Sequence, residues 1–489
     1  ESLNLVGSTV ENTGRLSAPG GGVNIIAVPG RETVRIRQNG MVLELEVTDN
    51  GQGLAATDLP ERLTGGEGHA NTLEVSEDGS VRLTRQPRGT VTVRGTGEKP
   101  AQIESDRIHL QGQAVMIEDA AIDSTGVINQ VILQSSQGST AIVNSQINLS
   151  NLAGIGGLLE LAGQSVQVNQ SQVNLRGSQK GQIRVEATSG NTEINHSQIT
   201  IATPVLSHDQ VSPLSAELNP ELGDLVLAGQ LDILSPAQVV IARSDLAAYG
   251  VRIGGDFQGK GEFVTAQETI VEATSTIAAG NAWGTPLDTS GLPINPQDPS
   301  DPVAMAGRVI VWADDKTRFL GYLHNPAGFA EISGKRELDL GSNWDQRINV
   351  GELLLDPTNI TMTTGAGTFG DQTISNFLEN TGDLTITTAG GGTQAGDITV
   401  NGGVAINWTS ANSLTLEADR SISFGNNSSI TATGSGSIVL EANQGATPAT
   451  GTFNGIDLTS SNVLISSNSG DITLSGKGVP KLGNPVARG

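Results

Sequence analysis

Three segments between residues 141 and 201 repeat one pattern of apolar and polar positions: AIVNSQINL (141–149), VQVNQSQVNL (166–175) and EINHSQITI (193–201). Apolar residues alternate with polar ones in each segment, which is the two-residue period of a half-buried strand. Equivalent positions lie 26 residues apart, and a fixed period of this size with strand patterning is typical of a solenoid. The aligned apolar positions form three columns: Ile142, Val168 and Ile194; Ile147, Val173 and Ile199; and Leu149, Leu175 and Ile201.

The repeat predicts an all-β chain folded as a right-handed parallel β-helix, with about three short strands in each coil and the columns pointing into one long core. At about 25 residues per coil, we expect roughly 16–18 coils outside the irregular stretches. The composition agrees with this fold. The 63 glycines and the frequent Asn, Ser and Thr favour tight turns, and an aromatic content of 3% requires an aliphatic core.

Three stretches interrupt the alternation, and we interpret them as excursions from the solenoid: 49–72, 203–223 and 281–304. The first is rich in glycine and polar residues, and the other two contain three and five prolines, which cannot donate to a central strand ladder. The predicted division is β-helix coils at 1–48, an excursion with returning strands at 49–100, β-helix at 101–280 with the loop at 203–223, a proline-rich loop at 281–304, β-helix at 305–476 and a tail at 477–489.

The bulk composition narrows the classes of partner. A formal charge of −24 argues against nucleic acid, whose phosphates need clustered Lys and Arg, and equally against an anionic membrane surface. The absence of cysteine excludes disulfides, thiolate metal sites and cysteine nucleophiles. No apolar stretch is long enough to span a bilayer, so we expect no membrane insertion. Because Glu1 opens directly into strand-like sequence, we expect a processed mature chain or a fragment, with targeting information removed upstream.

Four segments in the middle of the chain are less generic: VRIGGDFQG (251–259), GRVIVWADDKTRFLGYL (307–323), AGFAEISGK (327–335) and LLLDPTNIT (353–361). Together with NTGRLSAPGGGVNIIAVPG (12–30) before them and GDLTITT, GDITVN and SLTLEADRSI after them, they resemble the large secreted exoproteins of the filamentous haemagglutinin family, most of all the cyanobacterial subgroup.

That resemblance implies two-partner secretion. Such a chain leaves the cell unfolded through a dedicated outer-membrane β-barrel transporter and folds outside as a right-handed β-helix. It also implies service as an adhesin or surface-fibre component, at the cell surface of a Gram-negative bacterium of cyanobacterial type. One departure from the family pattern is that its N-terminal secretion domain, with characteristic Asn-rich motifs, is not visible in this sequence.

The third excursion holds the candidate binding residues. Trp283 lies outside the regular strands, where an indole would be free to stack on a sugar or to contact a partner. Asp298 and Asp301 would offer the oxygen ligands that calcium prefers, although no calcium-binding repeat of solenoid type occurs. We therefore expect no cofactor, with calcium as the one metal that this pair of carboxylates would suit.

Other conspicuous residues favour structural roles. The Asp-Asp-Lys sequence at 314–316 fits a polar turn better than a cation-binding corner, and Asp356 with Pro357 fits the end of a strand. Trp312 and Trp408 lie within predicted strands, where filling a core is the commoner role. The five histidines are scattered, and none has metal-ligand spacing.

These observations predict a non-enzymatic extracellular protein, either an adhesin or a structural subunit of a cell-surface fibre or sheath. The expected partners are the outer-membrane transporter during secretion, further copies of the chain in a fibre or surface layer, and surface glycans. The alternative is a polysaccharide-active β-helical enzyme, a lyase or a glycoside hydrolase. That alternative needs two or three carboxylates and an Arg or Lys converging beside a groove on one face.

Overall fold

The fold is a parallel β-helix, as predicted, because strands of successive coils pair in parallel throughout the coils that the structure describes. The computed structural model describes residues 2–28, 34–36, 45–47, 72–75, 81–84, 89–97, 99–126, 129–151, 157–177, 181–204, 225–227, 229–280, 307–388 and 394–478. Within these ranges the chain forms 43 strands and one α-helix.

The first seven strands are β1 (Ser2–Gly7), β2 (Val10–Asn12), β3 (Arg15–Ala27), β4 (Val34–Ile36), β5 (Leu45–Val47), β6 (Thr72–Val75) and β7 (Val81–Thr84). The last four of these, β4 to β7, lie outside the coils. Strand β4 pairs antiparallel with β5, and β6 with β7. We expected these strands to belong to coils or to return to them. The two-residue period is the same in a hairpin and in a coil, so the pattern does not distinguish them. The first excursion therefore extends from Val28 to Gly89, whose N–H groups donate to the carbonyls of Gly7 and Ser8.

The middle of the solenoid contains strands β8 to β32: β8 (Thr90–Arg94), β9 (Ala101–Gly112), β10 (Ala114–Glu118), β11 (Ala120–Ser124), β12 (Gln130–Ser135), β13 (Ser139–Val143), β14 (Gln146–Asn151), β15 (Leu158–Gly163), β16 (Ser165–Asn169), β17 (Gln172–Gly177), β18 (Gln182–Ala187), β19 (Thr192–Asn195), β20 (Gln198–Pro204), β21 (Leu225–Leu227), β22 (Gln230–Leu234), β23 (Gln238–Ala242), β24 (Asp245–Ala248), β25 (Gly250–Ile253), β26 (Glu268–Val271), β27 (Thr276–Ala279), β28 (Arg308–Ala313), β29 (Lys316–Phe319), β30 (Tyr322–Gly334), β31 (Glu337–Asp339) and β32 (Ile348–Leu355).

The last part contains the remaining strands and the helix: β33 (Ile360–Met362), α1 (Asp371–Asn380), β34 (Asp383–Thr387), β35 (Asp397–Val400), β36 (Ala405–Trp408), β37 (Leu414–Ala418), β38 (Ser421–Phe424), β39 (Ser429–Ala432), β40 (Ile438–Ala442), β41 (Ile456–Asp457), β42 (Leu464–Ser467) and β43 (Ile472–Gly476). Short 3₁₀ turns lie at Phe257–Gly259 and Trp344–Gln346.

Three strand columns form three faces of the solenoid. Face 1 runs from β1 to β43, through one half of β3, β9, β30 and β32. Face 2 runs from β2 to β31 and resumes with β33, β35, β38 and β41. Face 3 runs from the other half of β3 to that of β32, and resumes with β36, β39 and β42. Fifteen described strands stack on face 1. This is fewer than the predicted number of coils, because the chain between Val28 and Gly89 contributes no described strand to face 1.

Two inward columns run unbroken along face 1. Their members are related by strand register, and all are buried from the second coil to the last but one. Representative members are Val23, Ile183, Val309 and Ile438 in one column, and Ile25, Val185, Val311 and Leu440 in the other. In the last coil that the structure describes, Ile472 and Leu474 of these columns are 42% and 47% exposed. Stacked apolar columns of this kind supply the core of the rod.

The three columns aligned in the sequence lie in register in the structure. Ile142, Val168 and Ile194 stack on face 2. The other two columns stack on face 3, and no member of the three is more than 1% exposed. The remaining members are Ile147, Val173, Ile199, Leu149, Leu175 and Ile201.

A buried serine column explains why a Ser-Gln pair recurs in the middle of each repeat. At the corner between faces 2 and 3, a residue with left-handed backbone precedes a serine, as at Gln170 (φ +50°) and Ser171. The Ser171 N–H donates to Ser197 Oγ of the next coil at 3.1 Å, and Ser197 N–H donates to Ser244 Oγ at 3.1 Å. Each hydroxyl thus satisfies a buried backbone donor that the turn leaves without a strand partner.

Helix α1 takes the place of one face 3 strand, which the sequence pattern did not predict. Its apolar side chains Ile374, Phe377 and Leu378 enter the core. On an adjacent side of the helix, Asp371 accepts from the N–H of Ala405, the first residue of β36, at 2.9 Å. Side chains one and two turns further along α1 accept from alternate N–H groups of the same strand segment. The helix therefore covers a sheet edge that would otherwise be unpaired.

The second and third excursions leave the solenoid on narrow stems. Strand β20 pairs antiparallel with β21, which brackets the second one. Strands β27 and β28 bracket the third, and the N–H groups of Gly280 and Gly307 both donate to the carbonyl of Tyr249. Because the chain leaves the solenoid and re-enters it at the same carbonyl, the strand register of the coils on either side is undisturbed.

Candidate functional site

A loop of twelve residues, 254–265, folds back over the outer surface of face 1, and we call it the flap. Its ends are tied together, because the Ala266 N–H donates to the Gly254 carbonyl at 2.7 Å. Gly254 has φ +78°, and a Cβ there would lie 2.2 Å from Thr269 Oγ1 and from the carbonyl oxygen of Trp312. Only glycine fits at this start of the flap.

Beneath the flap lies an apolar strip on the outward side of face 1: Ile310, Trp312, Phe329 and Leu354, each 5% exposed or less. Phe257 of the flap packs on it, with its ring 5.9 Å from that of Phe329 in an edge-to-face arrangement. Outward positions of a solenoid strand are normally polar, whereas all six residues of β28 are buried. The strip therefore forms a second, smaller core between flap and sheet.

Arg308, at the start of β28, lies between two aromatic rings. Its guanidinium carbon is 4.2 Å from the ring centre of Phe257 and 4.8 Å from that of Phe329. The side chain is 2% exposed, and burial lowers the pKa of Arg308, while the charge of Glu331 opposes this effect. Cation–π contacts of this kind stabilise a cation that has lost its water.

Glu331 is a fully buried carboxyl group beneath the flap. It occupies the outward row of face 1 between Ile310 and Leu354 and has no exposed surface. The backbone N–H of Gln258 in the flap donates to its two oxygens at 3.0 and 3.2 Å, and Ser333 Oγ donates at 2.9 Å. Burial raises the pKa of Glu331 to about 8, in spite of these donors.

Asp356 follows β32 directly, where the sequence predicted the end of a strand. It is 9% exposed, and its Oδ1 has no hydrogen-bond partner. Burial raises the pKa of Asp356, and its charge in turn raises the pKa of Glu331. The structure thus places two carboxyl groups and Arg308 on one face, which is the set that a polysaccharide-active enzyme needs. All three are covered, so no substrate reaches them while the flap is closed.

The other half of the flap rests on a ladder of paired charges. Arg252 donates to both oxygens of the buried Asp232, at 2.7 and 3.0 Å. Phe263 of the flap lies over Arg252 at 4.1 Å and over Arg184 of an upstream coil at 5.2 Å. A bidentate pair of this geometry is among the stronger ionic contacts in proteins. The flap is therefore anchored on coils both before and after the one it leaves.

Two grooves open to solvent lie elsewhere. One, of about 500 Å³, runs between α1 and β36 and is lined by polar groups such as Ser375 and Asn407. The other, of about 550 Å³, lies on the last described coil beside Asp457 and Leu474. Neither contains the carboxylates with a neighbouring Arg or Lys that the enzymatic alternative requires.

The residues singled out in the third excursion, Trp283, Asp298 and Asp301, lie outside the described residues. In the described part of the chain, no group of three or more His, Asp or Glu side chains is placed to hold a metal ion. None of the helices that the structure describes has the length and hydropathy needed to cross a membrane.

The Asp-Asp-Lys turn is held by paired side chains. Asp314 accepts from the hydroxyl of Thr265 at 2.6 Å and from the indole N–H of Trp312 at 3.2 Å. Asp315 pairs with Arg336, and Lys316 with Glu337. The predicted polar turn agrees with these contacts, and Asp314 in addition fixes the end of the flap.

The two strand tryptophans have different surroundings. Trp408 is 2% exposed in the main core, whereas Trp312 belongs to the strip beneath the flap. Sequence reasoning missed the flap and the buried Glu331. Two signals were present, namely four glycines in GGDFQGKGEF and the loss of alternation in RVIVWA, where outward positions are apolar.

Comparison with known proteins leaves the family open, because no protein-family model, curated protein or solved structure matches the chain.

Proposed function

We propose that the chain is a non-enzymatic extracellular rod, either an adhesin or a structural subunit of a cell-surface fibre or sheath. The observation that carries this proposal is the pair of inward columns that continues from the first described coil to the last. At about 4.8 Å per coil, the fifteen stacked strands of face 1 span roughly 70 Å. A continuous core of this length suits a stiff spacer or fibre segment.

Export by a two-partner system is part of the same proposal. It is supported by the resemblance of the segments between 251 and 361 to the filamentous haemagglutinin family and by the lack of cysteine. The test is expression in a Gram-negative host with and without an outer-membrane transporter of the two-partner type. Transporter-dependent appearance of the chain in the medium is expected, and equal release without the transporter would contradict this route.

Electron microscopy of native cell-surface material tests the structural role. Antibody against the chain should label fibres, a sheath or a surface layer, and purified chain should retain cells or glycan-coated beads. Failure of both labelling and retention would contradict the proposal. Purified rods that remain single but bind cells would favour the adhesin over the structural subunit.

The buried cluster of Glu331, Asp356 and Arg308 favours the second candidate, a polysaccharide-active enzyme, since strongly perturbed carboxyl groups gather at catalytic sites. Release of reducing ends, or absorbance of unsaturated products, from acidic polysaccharides measures this activity. If the chain is a non-enzymatic rod, neither reducing ends nor unsaturated products should be released. Release that is abolished by Asp356→Asn and retained in the matched surface variant Glu193→Gln would establish the enzyme instead.

A further inference from the structure

The flap has the construction of a hinged cover. Its two ends meet at a single hydrogen bond, from Ala266 N–H to the Gly254 carbonyl. Its side chains and backbone hold it against face 1 at five points. These are Phe257 on the apolar strip, the Gln258 N–H on Glu331, Phe263 and Asp256 on Arg252, and the Thr265 hydroxyl on Asp314. Lys260 and the two residues that follow are exposed at its tip. A few contacts therefore hold a segment that can move without disturbing any strand pairing.

Glu331 is the contact whose strength depends on protonation at neutral and alkaline pH. Its carboxyl group receives two donors, the Gln258 N–H and the Ser333 hydroxyl, and has no exposed surface. Charged groups of both signs lie around it. Asp356 after β32 and Arg308 of β28 act on Glu331 directly. Arg308 is in turn influenced by Asp256, Arg252 and Glu352, and Asp356 by Lys260 and Lys335.

We propose that the flap is a proton-controlled cover, closed over the apolar strip while Glu331 is neutral and released when Glu331 loses its proton. An ionised Glu331 in the closed state would be a buried charge beside a second carboxyl group, Asp356. Its one close cation, Arg308, is already held between two rings. Opening the flap admits water to the carboxylate and removes that cost.

The direction of the pH dependence follows from burial. Because burial raises the pKa of Glu331 to about 8, from an ordinary value of 4.5, the closed state favours the protonated form. Its stability is therefore complete below about pH 4.5, decreases as the pH rises toward 8, and is constant above that. Between pH 6 and pH 9 the equilibrium constant for opening rises by up to roughly 100-fold. Opening uncovers Ile310, Trp312, Phe329 and Leu354.

Hydrogen–deuterium exchange of the flap peptide tests this inference. Wild type and Glu331→Gln are compared at pH 6 and at pH 9, since comparison at one pH cancels the intrinsic pH effect on exchange. Glutamine keeps an oxygen to accept from Gln258 and cannot ionise. Flap protection in the variant should not change between the two pH values, whereas wild type should lose up to about 100-fold. The matched control Glu193→Gln, which removes a carboxyl group on face 2 away from the flap, should behave as wild type.

Two results would overturn the inference: equal loss of protection in wild type and Glu331→Gln, or no loss in wild type. A second measurement needs no variant. Trypsin should cut wild type after Lys260 faster at pH 9 than at pH 7.5, after correction with a peptide of the flap sequence. A corrected rate that does not rise would contradict the inference, even if the glutamine variant failed to fold.

Discussion

Replacing Asp371 by alanine should open the sheet edge that helix α1 covers. Asp371 is 7% exposed, and its two carboxylate oxygens accept from Gly365 N–H at 2.8 Å and from Ala405 N–H at 2.9 Å. A hydrogen bond to a charged acceptor contributes about 1.5–3 kcal/mol, and loss of a buried partner costs about 1–3 kcal/mol. Since both donors are only half buried, water would replace part of each bond. We expect a loss of about 2–4 kcal/mol in local stability.

Amide exchange resolved along β36 is the appropriate assay, because long solenoids do not unfold in one step. Asp371→Ala should speed exchange at Ala405 by about 30- to 900-fold, which is the same 2–4 kcal/mol expressed as a ratio, and the triple change that adds Ser375→Ala and Glu379→Ala should extend the effect along β36. Gln372→Ala alters the same helix without a described side-chain contact to β36 and should leave exchange unchanged. Unaltered exchange in the triple variant would refute the idea that α1 caps this edge.

Two further substitutions test the columns. Ser197→Ala removes the acceptor of the buried Ser171 N–H and should cost about 1–3 kcal/mol, measured as faster exchange in that coil, whereas the exposed Ser189→Ala should cost almost nothing. Ile194→Ala, at a fully buried position, should destabilise its coil by about 2–5 kcal/mol in urea-dependent exchange. Leu474→Ala, at a position that is 47% exposed, should cost less than about 1 kcal/mol, and similar losses at the two sites would contradict the link between burial in the columns and stability.

The inward columns could be predicted because each coil must bury the same positions. Ile142, Val168 and Ile194 fall in register in the sequence for the same reason that they stack in the structure. The extent of the first excursion could not be predicted in this way. A hairpin and a coil share the two-residue period, so β4 to β7 gave the same signal as coil strands.

Helix α1 was missed although its apolar residues have helical spacing. Ile374, Phe377 and Leu378 lie at i, i+3 and i+4, and the mean hydropathy around them is low because the rest of the helix is polar. In a chain dominated by alternation, one ten-residue helix is a local exception. The helix stabilises the fold by covering the edge of β36, which lies in the next coil. The sequence of the helix itself gives no sign of that edge.

The contact between Gln258 and Glu331 shows why the candidate site was harder to predict than the fold. These residues are 73 positions apart, and the third excursion lies between them. Their meeting requires that β25, β28 and β30 be successive strands of face 1, which holds only because the excursion leaves and returns at the Tyr249 carbonyl. The distance of 73 positions along the sequence does not reveal that strand register.

Outward positions of a solenoid, unlike inward ones, need not repeat from coil to coil and are usually polar. Apolar residues at outward positions are therefore informative. Ile310 and Trp312 are apolar where the fold allows polar residues, and they are stable in water only with a cover. The flap provides that cover and at the same point buries Glu331, a polar group that an apolar residue could replace without harm to the core columns. A buried acid that lies beneath a cover, and outside the core columns, affects the position of the cover more than the stability of the rod. For this reason we place a response to pH at the flap and expect the columns beneath it to be indifferent to the same change.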